Sequence, residues 1–463
     1  MLNKTLIEDI LDTALTTGGD FAEVFNEDRN NSSIKMVGGN VEKAISGRDY
    51  GVGIRIFQGT NVVYAYTNEV NRDNLLKITR EAAEALKGNS TTEVLALVKE
   101  KEKDSHPIKF YPHNIEQKEK VSVMKMAHQA ADNYDSLIDQ IVINYQDVGQ
   151  NVLIANSEGL LTEDERVRTR MSINVVATKD GEKQTGHFAP GAHRGFEFYE
   201  DIDIEGKARE AAKTAVTMVK ADFCPSGRMP VVINNNFGGV IFHEACGHSL
   251  EATSVAKGTS VFTGKMGQQI ASKKVTAIDD GTIPHAWGSQ NIDDEGIPTQ
   301  KNVLIEDGIL KNYMVDRLNA RRMEAEPTGS GRRQSYKYAP TSRMTNTYID
   351  NGESSREEII SNTEKGLFAK YMGGGSVDPA TGEFNFNVRE GYLIENGEIT
   401  KPVRGATLIG KGEEILKKID MVGNNLGFGQ GMCGSLSGSI PTNVGQPMLR
   451  VSELTVGGRE SNK

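Results

Sequence analysis

The chain has 463 residues and a formal net charge of −10, and 37% of its residues are apolar. This composition excludes a disordered chain, the lack of a basic block excludes a nucleic-acid binder, and no apolar run approaches the ~20 residues of a membrane span. Three cysteines cannot form a disulfide framework and the N-terminus carries acidic residues instead of a signal peptide, so we expect a cytoplasmic protein.

The first part of the chain is predicted to start with a helix, because apolar residues recur every three or four positions from Leu2 to Leu15. Further helices are predicted at about 72–86, 115–133 and 204–219. Short alternating segments predict an antiparallel meander and later strands, at 21–26, 33–37, 41–46, 51–57, 62–67, 138–146, 152–155, 167–178 and 183–187.

A boundary is predicted at Cys224-Pro-Ser-Gly227, which divides the chain into an N-terminal domain, 1–220, and a C-terminal domain, 221–463. The second part is predicted to contain helices at about 237–252, 316–324 and 356–363 and strands at 229–234, 303–306, 309–315, 345–349, 384–394 and 448–456. Because helices and strands do not alternate regularly, the predicted class is α+β: an N-terminal α/β meander domain and a mainly antiparallel C-terminal domain.

One predicted helix carries the sequence His243-Glu-Ala-Cys-Gly-His248. In the related His-Glu-x-x-His pattern, histidines four residues apart share a helix face and bind zinc, and the glutamate acts as a base. Here the histidines are five apart, which is a rotation of about 140° beyond one full turn of a straight helix. The pattern therefore predicts a metal site with a local distortion, either a π-bulge or a helix that ends or bends at Gly247.

A catalytic zinc ion needs a third protein ligand and an open position. Cys246 lies three residues after His243, whereas Cys433 lies far along the chain in a glycine-rich stretch, 421–445, which we interpret as a loop. Glycines around a cysteine permit a close approach of the backbone and thiolate to an ion or an extended ligand. The spacing alone does not decide between the two cysteines.

These residues resemble the TldD branch of the TldD/PmbA family. The His-Glu-x-x-x-His helix is the most specific part of the resemblance, which extends over nearly the whole chain. Other matching blocks are Gly51-Val-Gly-Ile-Arg-Ile-Phe57, Tyr64-Ala-Tyr-Thr67, Asp293-Asp-Glu-Gly-Ile-Pro-Thr-Gln300, Arg332-Arg-Gln-Ser-Tyr336, Arg343-Met-Thr-Asn-Thr-Tyr348 and Val444-Gly-Gln-Pro447.

The resemblance implies a cytosolic metallopeptidase that degrades unfolded segments or small peptides. It implies the metal ligands His243, His248 and Cys433, with Glu244 as the base, and leaves Cys246 as a packing residue. It also implies a heterodimer with a metal-free PmbA-like paralogue, also called TldE, or a homodimer, with the N-terminal domain free for packing and for the dimer interface.

The implied mechanism uses Zn²⁺ to lower the pKa of its bound water towards ~7, and Glu244 then takes the proton from this water as general base. One alternative is a non-catalytic regulatory protein with a structural metal, a role suggested by the older family label of DNA gyrase modulator. The other alternative is a thiol hydrolase that uses Cys433 as its nucleophile. A carboxylate directly after a histidine ligand favours the metallopeptidase.

Two further groups of polar residues have open interpretations. Four residues could bind a peptide carboxylate or stabilise an oxyanion, or could form salt bridges in a surface loop: Arg332, Arg333, Tyr336 and Arg343. The acidic residues Asp293, Asp294 and Glu295 are interpreted as a solvated turn in preference to a second ion site.

Overall fold

The structure, a computed structural model, describes residues 1–89, 92–378 and 381–459. Helices and strands are mixed along these residues, which confirms the predicted α+β class in general terms. Most strand pairs are antiparallel, and the parallel pairs are β4–β6, β9–β19, β10–β17 and β16–β23. Among the described residues, no helix has both the length and the apolar character that crossing a membrane requires.

The first part of the chain contains five α-helices and eight strands within its described residues. In chain order these are α1 (Lys4–Leu15), β1 (Phe21–Val37), β2 (Asn40–Gln58), β3 (Asn61–Thr67), α2 (Arg72–Glu84), β4 (Val98–Glu100), α3 (Gln117–Asp132), β5 (Ile138–Asn156), β6 (Leu160–Lys179), β7 (Glu182–Phe188), β8 (Gly191–Ala192), α4 (Phe198–Asp201) and α5 (Ile204–Lys220).

These eight strands form one sheet with the order β3-β2-β1-β5-β6-β4, and β7 and β8 also pair with β6. The predicted meander of five short strands is therefore three strands, two of which are long. The polar run 27–32 does not end β1, because its backbone bonds to β2 on one side and β5 on the other. The turn between β1 and β2 comes at Gly38 and Gly39, whose φ angles are positive.

Two separate apolar clusters hold the helices against this sheet. Helices α1 and α2 bury Ile10 and Leu75 against the Val24 end of β1. Helices α3 and α5 bury Met124 and Ala211 against the opposite ends of β5 and β6. The opposite face of the sheet contacts the second part of the chain, because Phe25 and Ile154, which alternate with the residues under α1 and α2, pack with Ile292 and Tyr336.

The second part of the chain follows α5. Its elements are β9 (Asp222–Phe223), β10 (Gly227–Ile233), α6 (Val240–Ala245), α7 (Ala252–Val255), β11 (Ala277–Asp280), β12 (Lys301–Glu306), β13 (Ile309–Leu310), α8 (Arg317–Met323), β14 (Gly331–Arg332), β15 (Thr341–Ser342), β16 (Asn346–Ile349), α9 (Arg356–Ser361), β17 (Lys365–Val377), β18 (Glu383–Glu395), β19 (Glu398–Arg404), β20 (Thr407–Lys411), α10 (Gly412–Lys418), β21 (Ile419–Val422), β22 (Gly427–Ser435), β23 (Gly438–Gln446) and β24 (Leu449–Gly457). The division of the chain into domains at about residue 220 stays a prediction.

Two larger sheets and one short strand pair, β14–β15, organise this part. The pairings β17–β10, β10–β24, β24–β20, β20–β18 and β18–β17 form a closed ring of five strands. A six-stranded sheet has the order β13-β12-β11-β16-β23-β22, so β22 lies at its edge. Helix α6 packs with residues of both sheets in the main apolar core.

The structure differs from three sequence-based expectations in this part. The single helix expected over 237–252 is divided into 3₁₀ and α segments. The strand expected over 309–315 covers only Ile309–Leu310. The glycine-rich stretch contains a β-hairpin, β22–β23, rather than a loop. Gly429 in this hairpin serves close packing, because a Cβ atom at this position would lie 2.8 Å from Phe237.

Candidate metal centre

The helix that carries the two histidines is interrupted between them. His243 lies on α6, which ends at Ala245, and His248 lies on the 3₁₀ turn Gly247–Leu250. Cys246, between these segments, has φ −133° and ψ −48°. The two imidazole centroids lie 5.0 Å apart with their planes at 79°. The two histidines, five residues apart, therefore reach one site because the helix ends between them, and not because of a π-bulge.

Gly247 permits this arrangement because the backbone passes close to a buried side chain. A Cβ atom at this position would lie 2.4 Å from the sulfur of Met344. Met344 is itself fully buried, so it has little room to move. The glycine in the motif is thus explained by packing against the segment that precedes β16.

The third candidate ligand comes from the hairpin β22–β23. Cys433 pairs with Ile440 across this hairpin, and its Sγ atom lies 3.4 Å from Nε2 of His248. One ligand atom from each of His243, His248 and Cys433 lies within 4.8 Å of the others. Cys246, by contrast, is a fully buried member of the apolar core, and burial raises the pKa of its thiol.

The charges of these residues favour a thiolate at Cys433. Burial alone would raise the pKa of this thiol, but the imidazoles of His243 and His248 lower it to about 3. Burial likewise opposes protonation of His248, but the carboxylate of Glu251 and the Cys433 sulfur hold the pKa of His248 well above its usual value. Both shifts show that the site favours a negatively charged sulfur next to positive charge, which is the balance that a bound cation would also supply.

Glu244 and Glu251 lie on different sides of the His248 ring. Oε2 of Glu251 lies 3.2 Å from Nδ1, whereas Oε2 of Glu244 lies 3.7 Å from Nε2, the nitrogen that faces Cys433. The Glu251 side chain is buried, and that of Glu244 is 26% exposed. Glu244 is therefore placed where a substrate or a water molecule could reach it. The role of Glu251 was not recognised in the sequence, although its spacing of three residues from His248 is a usable signal.

The residues present fit a zinc ion. Two imidazoles and one thiolate form a donor set found at zinc sites, and zinc bond lengths of about 2.0–2.3 Å correspond to ligand atoms about 3.3–3.7 Å apart in a tetrahedron. The separation of 3.4 Å between Cys433 Sγ and His248 Nε2 lies in this range. Nδ1 of His243 is buried and has no hydrogen-bond partner among the described residues. Three protein ligands also leave a fourth position open.

Two of the arginines considered as substrate ligands hold the hairpin that carries Cys433. Arg343 donates hydrogen bonds to the carbonyl of Cys433 and to Ser437 Oγ, at 2.5 and 2.9 Å. Arg332 donates to the carbonyls of Met344 and, at 2.9 Å, Pro441. Both side chains are buried, so the expected alternative of a surface loop is wrong for them.

The other two residues of that set face the N-terminal sheet. Arg333 donates to the carboxylate of Glu23 at 2.6 Å, and the Tyr336 backbone N–H donates to Glu27 at 2.8 Å. The Tyr336 hydroxyl lies 3.1 Å from Asp49. Both residues are buried, and the hydrogen-bond partners named here belong to this chain, so their part in substrate binding stays a prediction.

The acidic run 293–295 is buried, so its interpretation as a solvated turn is wrong. Asp294 accepts a hydrogen bond from Arg166, and Glu295 accepts one from Arg55 at 2.6 Å. Asp293 accepts from the backbone N–H of Gly331 at 2.9 Å. The run connects the two parts of the chain through charged pairs, a long-range role that the local sequence does not reveal.

Comparison with known sequences places this arrangement in a family. Three parts of the chain match models of the PmbA/TldA metallopeptidase family: domain 1 over 22–86, the central domain over 110–219 and the C-terminal domain over 226–458. A metalloprotease TldD homolog of Haemophilus influenzae is 38% identical over 452 residues, which are 95% of this chain and 93% of the relative. A zinc metalloprotease TldD homolog of Saccharolobus solfataricus is 30% identical over 261 residues, 56% of this chain and 58% of the relative.

Solved structures share the fold at low sequence identity. A protein of Thermotoga maritima, described as a candidate modulator of a DNA gyrase, has a TM-score of 0.79 at 23% identity, over 94% of this chain and 96% of its own. TldE from Thermococcus kodakarensis has a TM-score of 0.78 at 19% identity, over 98% and 100%. With the family matches over most of its length and a relative at 38% identity, the chain belongs to the TldD/PmbA family of metallopeptidases.

Proposed function

We propose that this protein is a zinc-dependent peptidase in which His243, His248 and Cys433 hold the ion and Glu244 is the general base. The proposal is carried by one observation: three ligand atoms lie within 4.8 Å of one another, and a part-exposed carboxylate lies 3.7 Å from one of them. A structural zinc site is usually closed by four protein ligands, whereas three ligands with a neighbouring base suit catalysis.

When bound, zinc supplies an acidified water molecule and polarises the scissile carbonyl. Glu244 is positioned to accept the proton of the attacking water and to return it to the nitrogen of the leaving amine. Glu251 fixes the orientation of the His248 ring through Nδ1. Arg343 holds the carbonyl of Cys433 and so keeps the thiolate at the site.

We propose unfolded segments and small peptides in the cytosol as substrates, and a TldE-like paralogue or a second copy of this chain as partner. The N-terminal sheet offers a surface for such a partner. Residues 40–48 of β2 are exposed, with Val41 and Ile45 among them. Strand β3 pairs with β2 only from Val52 onwards, so this arm has an unpaired edge within the described residues. Unpaired edges with apolar side chains suit pairing with another chain.

Metal analysis combined with peptide hydrolysis tests the proposed activity. Purified protein should contain about one zinc per chain, lose hydrolysis on chelation and recover it when zinc is added back. Unfolded casein should be cleaved, whereas a stably folded protein of similar size should not. Full hydrolysis by metal-free protein would contradict the proposal.

A thiol hydrolase is the second candidate, because a thiolate 3.4 Å from an imidazole is also the geometry of a cysteine nucleophile and its base. The same experiment separates the two candidates. A thiol hydrolase would stay active after chelation and would be inactivated irreversibly by iodoacetamide in the chelated state. The metallopeptidase would have no activity left to inactivate.

A further inference from the structure

A small cavity lies between the N-terminal sheet and the hairpin that carries Cys433. Its volume is about 130 Å³, and five of its lining residues are arginines: Arg29, Arg166, Arg168, Arg332 and Arg333. We call it the arginine cavity. Asp294 is the one acidic residue among its lining residues.

The Asp294 carboxylate already accepts hydrogen bonds from other residues. One of its oxygens accepts a hydrogen bond from Arg166, and the other accepts from the backbone N–H of Arg333 at 2.7 Å. The Arg333 guanidinium is paired with Glu23. Two of the five arginines are thus matched to carboxylates, and Asp294 has no oxygen left without a partner.

Arg168 and Arg332 have no such match, because their hydrogen bonds go to backbone carbonyls. Arg168 donates to Trp287 and Ser289 at 3.0 and 2.7 Å, and Arg332 donates to Met344 and Pro441. Within the described residues, neither guanidinium has a carboxylate oxygen within 4.0 Å. Burial and neighbouring arginines lower the pKa of Arg168 to about 9, a sign of excess positive charge.

The lining also contains a polar donor without a partner. Gln290 is almost completely buried, and its Nε2 atom has no hydrogen-bond partner among the described residues. A buried donor without a partner destabilises the folded protein, and an unpaired buried charge destabilises it more. An anion in the cavity would relieve both effects.

The apolar residues that line the rest of the cavity determine which kind of anion fits it. Val148, Trp287, Ile440 and Pro441 give the cavity apolar sides, and Met432, which is 52% exposed, lies among its lining residues. A small inorganic ion would lose hydration against such walls, whereas an organic carboxylate can place carbon against them. Met432 and Cys433 are adjacent on β22, so the cavity and the metal centre share one hairpin.

We infer that the arginine cavity binds a peptide carboxylate, either the C-terminal group or an acidic side chain. Arg168 and Arg332 are its charged partners, and Gln290 is a further donor. The identification of the carboxylate as part of a peptide rests on the proposed function. The cavity would then hold a carboxylate of the substrate while the metal centre acts on a peptide bond elsewhere in the same chain.

The test compares the binding of matched peptides to the full-length Glu244→Gln variant, which removes the proposed base. Calorimetry would use N-acetyl-tetraalanine with a free carboxyl group, its C-terminal amide, and an amide with one glutamate in place of alanine. A charge-assisted hydrogen bond of about 1.5–3 kcal/mol corresponds to a preference of roughly tenfold or more for a carboxylate over the neutral amide. The glutamate-containing amide shows whether a side-chain carboxylate can serve instead of the terminal one.

Matched variants assign the preference to the cavity. Arg168→Gln should reduce it to less than threefold, and Arg168→Lys should keep part of it. Arg170→Gln is the control, because Arg170 lies on the same strand and also donates to backbone carbonyls but does not line the cavity. The preference should persist after chelation, since it does not depend on the metal.

The inference would be overturned if the Glu244→Gln protein, whose cavity residues are unchanged, bound the free-acid peptide and the neutral amide peptide with equal affinity. This result does not depend on the folding of any Arg168 variant. A preference that disappears on chelation would assign the carboxylate to the metal and also overturn it. Binding of free acetate alone, without discrimination among the peptides, would show a simple anion site and would also overturn the inference. Hydrolysis of the neutral amide by the wild-type protein tests the proposed function separately, so the two failures are distinguishable.

Discussion

Oε2 of Glu251 lies 3.2 Å from Nδ1 of His248, on the side of the imidazole opposite to Cys433. An ionised carboxylate only accepts hydrogen bonds, so this contact places the ring proton on Nδ1 and leaves the Nε2 lone pair for a cation. Carboxylates that orient ligand histidines in this way commonly affect metal affinity by 10–100-fold.

Glu251→Gln should therefore weaken zinc binding by about 10–100-fold without removing any ligand. Competition with a chromophoric chelator measures the affinity. Glu306→Gln, at an exposed position on β12, is the control and should leave it unchanged. Unaltered zinc affinity of the Glu251 variant would show that the contact does not orient the ring.

Glu244→Gln should retain zinc and lose peptide hydrolysis by a factor of about 10²–10⁴, because the amide keeps the shape of the side chain but cannot accept the proton. Metal content and turnover are measured on the same preparation. A fully loaded variant with near-normal turnover would exclude Glu244 as the base. The same result with a measurable regulatory activity would favour a non-catalytic role for the metal.

The two buried cysteines of the region should respond differently to removal of sulfur. Cys433→Ala should lose zinc at micromolar concentrations, because a site with only two histidines binds the ion weakly. Cys246→Ala should keep zinc and lose about 1 kcal/mol of stability, since its sulfur packs in the core. Zinc loss in the Cys246 variant and retention in the Cys433 variant would reverse the assignment.

A stack of two histidines predicts a pH dependence of stability. The His106 and His193 rings lie 4.3 Å apart, and burial, with a further contribution from Arg168, lowers the pKa of His106 to about 4. The unfolded chain then binds more protons than the folded protein between about pH 6.5 and 4, so the free energy of unfolding falls as pH falls through this window.

His106→Asn should make the free energy of unfolding less dependent on pH, by roughly 1–3 kcal/mol between about pH 6.5 and 4. Urea unfolding at several pH values measures it. His113→Asn is the control, because His113 is exposed. An unchanged slope for the His106 variant would show that this ring is not the group that resists protonation.

The motif 243–248 was predictable from the sequence because its chemistry is local, and a helix distortion followed from the spacing of five residues. A helix that ends or bends at Gly247 was one of the two alternatives that the sequence left open, and the choice between them was not predictable, because it depends on the contact between Gly247 and Met344, which lie far apart in the chain. The hairpin around Cys433 was missed for a similar reason. Its glycines look like loop residues until Phe237 is placed against Gly429.

The burial of the arginines could not be predicted from the sequence. Arg332 and Arg343 were expected either in a surface loop or at a substrate, and the surface alternative is wrong because both are buried and hold backbone carbonyls. No local pattern separates a buried arginine from an exposed one, since burial is decided by strands that pair from other parts of the chain. The long strands β1, β2 and β5 were each predicted as two strands, and β6 was predicted only from residue 167, because polar residues indicated breaks, although backbone pairing continues through them.

The third candidate ligand lies 185 residues after His248 in the chain. A nascent polypeptide therefore carries both histidines and Glu244 long before it carries Cys433. If the ion is held as proposed, an interrupted translation product that ends before this residue has the helix motif but an incomplete ligand set. The ability to hydrolyse peptides would then require synthesis of the hairpin β22–β23. Partly synthesised copies of the protein would therefore be unable to cleave other nascent chains in the cell.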